Sequence, residues 1–457
     1  MTGIFGNGIR AQQHRMRIIY RVLFAVFFWL SAPFYFLKMW RRGNWRPGFG
    51  QRFGKYSSKI KQALTNRHII WFHAVSVGEV NICTQLIKAI EPRVPNLKIV
   101  VSTTTSTGMG ELQKHLPSHV TPIYYPIDFR GTVVRSLATV HPEAIVLVEA
   151  EIWPNFLWRA FEREIPVFLV NARLSDRSYR GYKRFGFIFR PIFAQFAGVG
   201  CQNEADAARL RELGFRPEGI QVVGNLKFDA AKLNERSLLD VPELLAQIGV
   251  PSHRQVIVAG STHAGEEEIL GGILKKLKGK YPNAFLVVVP RHVERSKDAA
   301  RGLEKHGLRF MFRSDVNAGT RLAEGSLDAL LVNSTGELRY FYEHADLVFV
   351  GKSLSAEGGQ NPIEPGALGK AMVYGPNMQN FPAIVAAFAA GNAAIQVKDA
   401  AGLERAFDHL LSDATTRNEL GERAKGIVLR NLGAADRTVD MILPHLHDAE
   451  VYVKPRA

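Results

Sequence analysis

The first 78 residues of this 457-residue chain contain no aspartate or glutamate, and that absence separates them from the rest of the sequence. Thirteen lysines and arginines, from Arg10 to Arg67, precede the first acidic residue, Glu79, so this segment holds +13 of the formal net charge of +16. A basic segment can bind nucleic acid or anionic lipid. Here the positive charge flanks a hydrophobic run, which favours lipid and argues against nucleic acid as a partner.

Cysteine is scarce, and several catalytic motifs are missing. Cys83 and Cys201 form no C-x-x-C pair and match no zinc spacing, so we interpret both as small buried side chains in a reduced compartment. The sequence has no Walker A motif, no H-E-x-x-H and no G-x-S-x-G. These absences argue against a P-loop nucleotidase, a zinc protease and a Ser-His-Asp hydrolase.

The hydrophobic run is Val22–Leu37, sixteen residues without a charge and with Pro33 inside it. A full membrane span needs about 20 apolar residues, and no A-x-A site follows, so a removed signal peptide is not expected. We predict that residues 1–42 form a membrane anchor in the anionic headgroups of the cytoplasmic leaflet, with a full span and a buried core helix as alternatives. The basic residues that flank the run are Arg15, Arg17, Arg21, Lys38, Arg41 and Arg42.

After Arg67, short apolar runs rich in β-formers alternate with segments of helical spacing, which predicts parallel sheets covered on both faces. The runs are "HIIWFHAVS", "LKIVVSTTT", "VTPIYYPID", "EAIVLVEAE", "PVFLVNAR", "GVGCQN" and "IQVVGNL", then "QVIVAGST", "AFLVVVPRH", "DALLVNST", "DLVFVGKS", "AMVYGPN" and "AAIQVKD". Two doubly wound α/β domains account for this rhythm and for the chain length. The predicted parts are the anchor 1–42, an N-terminal Rossmann-like domain 43–224, a linker 225–254, a C-terminal Rossmann-like domain 255–430, and a closing helix and tail 431–457.

Polar residues follow strand after strand in both halves. In open parallel sheets, ligands bind beyond the carboxyl ends of the strands. For any one cluster a helix cap or a turn is the simpler explanation, as where Ser261 or Thr262 precedes Glu266. The repetition in both halves predicts two sheets that face one another across a cleft, which is the GT-B glycosyltransferase architecture.

Two motifs in the second half suit a nucleotide. In "EGGQNPIEP", the paired glycines allow the backbone to approach a ligand closely, and the helix start that follows favours phosphate. Glu364 lies three residues after Asn361 and could bind ribose hydroxyls. In "VPRH", Arg291 and His292 offer a cation and a second donor at a strand end. A glycine turn with a first-turn glutamate and a solvated loop are the structural alternatives.

Further candidates lie at other strand ends. "GSTHAGEEE" presents Ser261 and His263 at a turn suited to an anion. "HAVSVGE" places polar residues at the end of the first strand, and "EAEIWPN" places Glu149 and Glu151 on one face ahead of an aromatic residue and an amide. Carboxylates beside an aromatic ring and an amide are typical of a sugar or amine site.

In this order, the motifs resemble those of the Kdo (3-deoxy-D-manno-octulosonic acid) transferases of lipid A biosynthesis. The resemblance covers the chain from the anchor to near the C-terminus. The matching landmarks are RFG at Arg52 to Gly54, HAVSVGE, STTTSTG, EAEIWPN, NARLSDRS, GNLKFD, GSTHAGEE, VPRH, and GGQNPIEP followed by GPNMQNF.

The resemblance implies a membrane-associated, metal-independent, inverting GT-B transferase that moves Kdo from CMP-Kdo to a lipid A precursor at the cytoplasmic face of the inner membrane, without a further cofactor. The N-terminal half would bind the acceptor and the C-terminal half the donor. Residues implied at the donor site are Ser261, His263, Arg291, His292, Ser353, Asn361 and Glu364. Residues implied at the acceptor site are Arg52, Ser76, Gly78, Thr104 and Arg173.

The sequence departs from the family at the position of the catalytic base. Members typically carry Glu immediately before the R-[FYW]-G element, where this chain has Gln51. An amide has no useful basicity, and losing a general base typically costs roughly 10²–10⁴-fold. Either Gln51 marks an impaired relative, or another carboxylate acts (Glu79 or Glu151, with Asp128 behind them), or water and the reactivity of the donor suffice. Lys352 and Gln360 also differ from the Gly and His of some relatives.

Two other functions are compatible with the motifs. One is a different nucleotide-sugar transferase that acts on a lipid, and the other is a relative that binds donor or lipid without turnover.

Overall fold

The protein is an α/β chain that forms two compact units. The structure is a computed structural model and describes residues 3–41, 46–65, 68–149, 151–230 and 239–446. Unit 1 comprises Met1–Asp229 and Asn431–Ala457, and unit 2 comprises Ala230–Arg430. Parts of four predicted regions lie outside the described residues, namely both ends of the anchor, residues 43–45, 66–67 and 150 of the N-terminal domain, 231–238 of the linker and 447–457 of the tail.

Unit 1 is built on a seven-stranded sheet in which all neighbouring strands are parallel. Its strands are β1 (Ile69–His73), β2 (Lys98–Thr103), β3 (Thr121–Tyr124), β4 (Ala144–Val148), β5 (Val167–Ala172), β6 (Gly198–Cys201) and β7 (Ile220–Val222). The order β3-β2-β1-β4-β5-β6-β7 reverses direction between β1 and β4. In doubly wound sheets, this switch point is where ligands bind.

Unit 2 has a second seven-stranded parallel sheet. Its strands are β8 (Gln255–Thr262), β9 (Ala284–Pro290), β10 (Phe310–Phe312), β11 (Ala329–Leu331), β12 (Leu347–Val350), β13 (Ala371–Tyr374) and β14 (Ile395–Gln396). The order β10-β11-β9-β8-β12-β13-β14 places the switch point between β8 and β12. The predicted fold class, two doubly wound parallel sheets, is confirmed.

Helices connect the strands in both units. They are α1 (Gly3–Arg41), α2 (Ser58–Leu64), α3 (Val77–Ile90), α4 (Ser106–His115), α5 (Arg130–Val140), α6 (Pro154–Phe161), α7 (Asp176–Arg184), α8 (Gly186–Phe193), α9 (Glu204–Leu213), α10 (Val241–Gln247), α11 (Glu266–Leu277), α12 (Ser296–Glu304), α13 (Leu338–Glu343), α14 (Ile363–Ala367), α15 (Pro382–Ala390), α16 (Ala400–Ser412), α17 (Ala414–Asn431) and α18 (Ala434–Ile442). Short 3-10 helices occur at Phe49–Phe53, Pro217–Gly219, Leu226–Ala230, Val293–Arg295, Arg313–Asp315 and Leu443–His445.

The unit 1 sheet is buried on both faces, because side chains alternate along each strand. Ile69 and Trp71 of β1 face one core, and Ile70 and Phe72 face the other. Helices α1, α2, α5, α6, α8 and α9 supply buried residues to the first core, and Tyr179 of α7 packs against it; we call this side the α6 face. Helices α3, α4 and α18 cover the opposite side, the α3 face.

The apolar runs predicted thirteen strands, and the structure contains all of them together with one more, β10. β10 is three residues long and lies between Arg309 and Arg313, so it carries no apolar run that a sequence pattern could reveal. The alternative that Ser261 or Thr262 caps the following helix is wrong, since α11 starts after Gly265, which has no side chain to cap with.

The C-terminal segment returns to unit 1 as α18. Gly433, at φ 75°, precedes this helix and has no capping side chain. Asp229 supplies the missing acceptor: its carboxylate accepts from the backbone N–H of Gly433 at 2.7 Å and of Ala435 at 2.6 Å. The guanidinium of Arg437 donates to the carbonyl of Val223 at 2.7 and 3.0 Å.

One row of side chains on helix α1 packs against the rest of unit 1. Phe24 packs edge-on against Phe129 and Trp153, with ring centroids 5.2 and 6.1 Å apart, and Tyr20 packs edge-on against Trp158 at 5.5 Å. The Tyr20 hydroxyl donates to Asp128 at 2.7 Å.

The remaining surface of α1 is apolar and exposed. The segment Arg15–Arg41 is long and apolar enough to cross a membrane by length and composition, a property that signal sequences and buried core helices share. A buried core helix, one of the predicted alternatives, is wrong for α1, because thirteen of its large apolar side chains are exposed. These are Ile18, Ile19, Val22, Leu23, Val26, Phe27, Trp29, Leu30, Phe34, Tyr35, Phe36, Leu37 and Trp40.

Candidate active site

At the switch point of unit 1, two non-glycine residues adopt a left-handed backbone. Glu149 (φ 62°) follows β4, and Asn171 (φ 52°) lies near the end of β5. Side chains other than glycine rarely adopt this conformation, and it is concentrated at functional sites. The Asn171 carboxamide accepts from the backbone N–H of Leu226 at 3.1 Å, and Glu149 pairs with Lys227 at 3.4 Å. The strand ends are therefore held by side-chain contacts within unit 1.

His73, Glu151 and Trp153 form one cluster at this switch point. Nε2 of the buried His73 lies 3.1 Å from Oε2 of Glu151, and the indole N–H of Trp153 donates to the same oxygen at 3.1 Å. On its other side, Nδ1 of His73 lies 2.9 Å from the Ser102 hydroxyl. The ring of His73 stacks on Tyr125 with centroids 3.9 Å apart. One oxygen of Glu151 is thus fixed, and its side chain keeps 32% of its surface exposed.

The electrostatics keep Glu151 ionised. Burial raises its pKa, but the hydrogen bond and charge of His73 and the hydrogen bond of Trp153 outweigh burial and hold the pKa below the usual value. The cluster therefore presents an anionic, partly exposed carboxylate in a fixed orientation that can accept a proton, with a basicity below that of a base whose pKa lies near neutral pH.

Glu79, the other favoured base, is engaged in capping α3. Its carboxylate accepts from the backbone N–H of Val75 and from the Ser76 hydroxyl, both at 2.7 Å, while the Ser76 oxygen accepts from the Glu79 N–H at 3.3 Å. Ser76 and Glu79 thus cap the start of α3 together, as in a capping box, except that the glutamate accepts from the N–H of Val75 and not of Ser76. Burial raises the pKa of Glu79, but both of its oxygens already accept hydrogen bonds. Gly78 lies in the same turn, near the end of the Lys227 side chain.

Asp128 has a structural role as well. It is buried, and its carboxylate accepts from the backbone N–H groups of Asn155 at 2.9 Å and Phe156 at 2.8 Å, which begin α6. With the Tyr20 hydroxyl as a third donor, it links α1 to α6. Burial raises the pKa of Asp128 to about 7. A side chain with these contacts has no free face toward a substrate.

Gln51 lies at a different edge of the unit 1 sheet. Its carboxamide oxygen accepts from the backbone N–H of Tyr124, at the end of β3, at 2.9 Å. Arg52 stacks over the Tyr124 ring at 4.1 Å and donates to the carbonyl of Thr104. β3 is three strand positions from β4, and the Glu151 carboxylate contacts His73 and Trp153 instead of the segment around Gln51. Glu151 therefore does not occupy the position of Gln51.

The residues predicted for the acceptor fall into three places in unit 1. Arg52 and Thr104 are in contact near β2 and β3. Ser76 and Gly78 begin α3 after β1. Arg173 is exposed after β5. Ser76, Thr104 and Arg173 follow carboxyl ends of strands, whereas Arg52 lies in the 3-10 helix ahead of β1 and reaches Thr104 through its side chain.

At the switch point of unit 2, a buried carboxylate joins two strand ends. Glu266 accepts four backbone N–H groups: that of His263 at 2.9 Å, and those of Lys352, Ser353 and Leu354 at 2.8, 2.9 and 3.0 Å. These N–H groups lie in two loops and have no partner within the sheet. Glu266 therefore ties the loop after β8 to the loop after β12.

The next carboxylate is also engaged. Glu267 is buried, accepts from the Thr262 hydroxyl at 2.9 Å and forms a two-pronged ion pair with Arg295 at 3.0 and 3.2 Å. Sequence reasoning saw the acidic run as a possible helix start and missed both roles. The run itself was a signal of further roles: three successive glutamates follow Gly265, and fewer acidic side chains would suffice to interact with the helix dipole.

Two predicted cations remain accessible at this edge, with Glu294 and Glu357 exposed in nearby segments of the chain. Arg291 and His292 are exposed after β9, and the Arg291 N–H donates to the carbonyl of Thr262 at 3.1 Å, next to His263. Ser261 and Lys352 adopt left-handed backbones at φ 55° and 54° on the two strands that flank the switch point. This edge suits an anionic ligand.

One predicted donor contact is not supported. The Ser353 side chain is fully buried; its hydroxyl donates to the carbonyl of Val350 at 2.5 Å and accepts from the Gly375 N–H at 2.9 Å. Both hydrogen-bonding roles of the hydroxyl are used inside unit 2. Ser353 therefore shapes the loop and does not present its side chain to a ligand.

The glycine-rich segment lies beside the same loop. Gly358 (φ 117°) and Gly359 (φ 71°) have backbones that favour glycine, and a Cβ at Gly359 would lie 2.5 Å from the Met378 sulfur. The Gly359 N–H donates to the carbonyl of Lys352 at 3.0 Å. Asn361 donates to Glu364 at 3.2 Å and accepts from the Ile363 N–H at 3.1 Å, so it begins the short helix α14.

Within the described residues, no group of three or more His, Cys, Asp or Glu side chains is placed to hold a metal ion. Cys83 and Cys201 are free and buried, as predicted.

Comparison with known proteins supports the fold and the family. A solved UDP-GlcNAc 2-epimerase from Neisseria meningitidis, bound to UDP-GlcNAc, has a TM-score of 0.52 at 15% identity and covers 83% of this chain and 100% of that chain, which shows the fold alone. The family model described as 3-Deoxy-D-manno-octulosonic-acid transferase (kdotransferase) matches residues 47–230.

Curated relatives cover nearly the whole chain. The 3-deoxy-D-manno-octulosonic acid transferase of Haemophilus influenzae is 32% identical over 404 residues, 88% of this chain and 92% of that protein. The transferase of the same name from Bordetella pertussis is 32% identical over 429 residues, 90% of this chain and 96% of that protein.

The two doubly wound sheets with polar switch points place the chain in the GT-B-like α/β class. Within that class, it belongs to the 3-deoxy-D-manno-octulosonic acid transferase family, as the order of motifs predicted, and is accordingly a glycosyltransferase.

We predict that Glu266→Gln destabilises unit 2. The new amide group would direct N–H donors at backbone N–H groups and leave them unpaired, at a cost of about 2–3 kcal/mol in the free energy of unfolding. Glu268→Gln is the matched control, since Glu268 is exposed on the same helix and pairs only with Lys305. Chemical denaturation of the full chain measures both. Equal stability of the two variants would contradict the role given to Glu266.

Proposed function

We propose that this protein transfers Kdo from CMP-Kdo to a lipid A precursor in lipopolysaccharide biosynthesis, with inversion, at the cytoplasmic face of the inner membrane. Unit 1 binds the acceptor, unit 2 binds the donor, and no metal or further cofactor takes part. The observation that carries the proposal is Glu151, an ionised carboxylate fixed through one oxygen at the switch point of unit 1. It offers a proton acceptor in a family member whose usual base position holds an amide.

The role of Glu151 follows from comparing the three candidate carboxylates. Glu79 uses both oxygens in the cap of α3, and Asp128 is buried under α1 and α6. Glu151 uses Oε2 for its two donors, and the structure pairs no described donor with Oε1. Among these carboxylates, Glu151 is therefore the one that can accept a proton from a substrate hydroxyl.

The reaction proceeds in one displacement. The acceptor hydroxyl attacks the anomeric carbon of Kdo opposite CMP, and its proton passes to Glu151. The bond between that carbon and the phosphate oxygen breaks, and CMP leaves with the additional negative charge. Cations that face the phosphate stabilise this charge as it develops.

The donor has the charge that the unit 2 edge suits. CMP-Kdo carries a phosphodiester and a carboxylate, two anionic groups, and the edge presents Arg291, His292 and His263. Its nearest carboxylates, Glu266 and Glu267, already accept backbone and arginine donors and do not oppose an anion. Ser261 lies in the same turn, and Glu364, held by Asn361, would take the ribose hydroxyls.

Gln51 supports a second function, that of a relative that binds donor and lipid without turnover. Its amide cannot take a proton, and it is held by the backbone of Tyr124. Under this alternative Glu151 has no catalytic role.

We predict that Glu151→Gln lowers kcat for Kdo transfer by roughly 10²–10⁴-fold with little change in the donor KM, since the amide keeps the contacts but loses the basicity. Glu91→Gln, a partly exposed carboxylate after α3 that pairs with His119, should behave like the wild type. Transfer of labelled Kdo to a tetraacyl disaccharide acceptor measures this. Full activity of Glu151→Gln together with a large gain in Gln51→Glu would place the base at position 51, and an inactive wild type that binds CMP-Kdo would support the alternative function.

The pH profile should report Glu151 directly. Because His73 and Trp153 depress the pKa of Glu151, the base stays ionised below its usual range, and the acidic limb of kcat against pH lies low. Trp153→Phe removes one hydrogen bond to the carboxylate, so the pKa rises and the limb moves to higher pH. An unshifted limb in an active Trp153→Phe variant would exclude Glu151 as the group that titrates.

Arg291→Ala should weaken donor binding. Losing a charge-assisted contact with phosphate or carboxylate raises the KM for CMP-Kdo by roughly 10–100-fold. Arg405→Ala on α16, also exposed, is the matched control. Competition with CMP and with uridine-diphosphate sugars identifies the nucleotide, and preferential inhibition by the uridine compounds would overturn CMP-Kdo as the donor.

A further inference from the structure

We propose that the α6 face of unit 1 docks on an anionic bilayer, with α1 lying in the plane of the membrane surface. This inference goes beyond the proposed function and shares with it only the assumption that the protein acts at a membrane. Its test measures binding and topology without catalysis, so its failure is distinguishable from a failure of the proposed reaction.

The packing of α1 determines its orientation. Met16, Tyr20, Phe24 and Phe28 are four residues apart and therefore share one side of the helix. All four contact the α6 side of unit 1: Met16 is buried in its core, Tyr20 and Phe24 pack as described above, and the Phe28 and Phe129 ring centroids lie 4.9 Å apart. Their spacing corresponds to about 18 Å of helix lying along the unit.

This packing is incompatible with a membrane span. A span would place the middle of α1 in hydrocarbon, together with the groups that it contacts. Among these are the buried carboxylate of Asp128, the carboxamide of Asn155, which accepts from Arg21 at 3.1 Å, and the helix start at α6. Polar groups of this kind are expensive in the hydrocarbon core. A helix in the interfacial plane keeps these contacts and turns its exposed apolar side toward the acyl chains.

An arginine cluster borders this helix. Arg17 and Arg159 both pair with Glu162, and Arg21 is held by Asn155. Burial, then the positive charges of neighbouring arginines, lower the pKa of the Arg21 guanidinium, as expected for cations gathered around a single carboxylate. The cluster comprises Arg17, Arg21, Arg130, Arg159 and Arg163. Its chemistry matches that of lipid phosphate groups, which arginine binds well.

The same face carries a second exposed apolar site. Phe185 and Phe187, at the junction of α7 and α8, are 47% and 58% exposed. Arg177, Arg180 and Arg184 lie in α7, ahead of the junction, and form no ion pair with a carboxylate of a described residue. Aromatic side chains beside free cations are typical of an interfacial contact.

The opposite face supplies an internal comparison. α3 and α4 each carry one acidic and one basic residue, and α18 carries two acidic residues and one basic residue. In contrast, α1 has six basic residues and no acidic one, and α7 has four basic residues and one acidic residue. The charge asymmetry between the two faces of one sheet points to an anionic partner on the α6 side. A large apolar helix within that side selects a lipid surface as the partner.

The test compares binding of the purified full chain to vesicles of phosphatidylcholine with and without phosphatidylglycerol. Arg130→Gln/Arg163→Gln removes two exposed charges from the arginine cluster without touching the hydrogen bonds of α1. If each arginine near the surface contributes about fivefold, this variant binds the anionic vesicles on the order of 25-fold more weakly, and the loss shrinks in high salt. Lys88→Gln/Lys114→Gln makes the same charge change on the exposed α3 face and should bind like the wild type.

Three outcomes would overturn the proposal. One is equal binding of both double variants, and another is binding of the wild type that does not depend on phosphatidylglycerol. The third is unchanged vesicle binding with a raised KM for a detergent-dispersed acceptor, which would assign the arginines to the acceptor phosphates instead.

A topology measurement tests the in-plane helix separately. Arg15→Cys and Arg41→Cys place single exposed thiols near the two ends of α1, while Cys83 and Cys201 are buried and give little background. In spheroplasts treated with a membrane-impermeant maleimide, both thiols should stay unlabelled until the cells are lysed. Labelling of either one from outside would show that α1 crosses the membrane.

Discussion

A carboxylate held by hydrogen bonds lies beside the switch point of each unit, and the way it is held governs the chemistry left at that edge. In unit 2, Glu266 accepts four such groups and is thereby withdrawn from the surface. Together with the ion pair of Glu267, this leaves Arg291 and His292 exposed at that edge. In unit 1, a histidine and an indole hold Glu151 through one oxygen, and the carboxylate stays at the edge. The proposed transfer from an anionic donor to a hydroxyl would use both, the cations to hold the donor and the carboxylate to accept the proton.

The replacement at position 51 has a limited structural effect. A carboxamide accepts the Tyr124 N–H as a carboxylate would, so the 3-10 helix around Gln51 and the stacking of Arg52 are compatible with either side chain. What changes is basicity alone. If position 51 is the base position of the family, as the resemblance implies, the proposed reaction needs another proton acceptor.

Much of the fold could be predicted from the sequence, because strands buried on both faces appear in it as continuous apolar runs, such as "IIWFH" and "FLVVV". β10 could not, because three residues between charges carry no such run. The order of motifs at strand ends predicted the family.

The roles of individual residues within these motifs were harder to predict. Ser353 follows a strand as a ligand-binding serine would, but its hydroxyl turns inward to Val350 and Gly375. Contacts across long sequence separations, such as Tyr20 with Asp128 and Gln51 with Tyr124, depend on tertiary structure that no local pattern encodes.

The hydrogen bond between Tyr20 and Asp128 joins the leading helix to the segment that carries Glu151. Asp128 also holds the first N–H groups of α6, which begins three residues after Glu151. Cutting away the leading helix would expose this buried carboxylate to water and remove one of its donors. A shortened form would therefore differ from the intact protein in the order of the segment that carries Glu151.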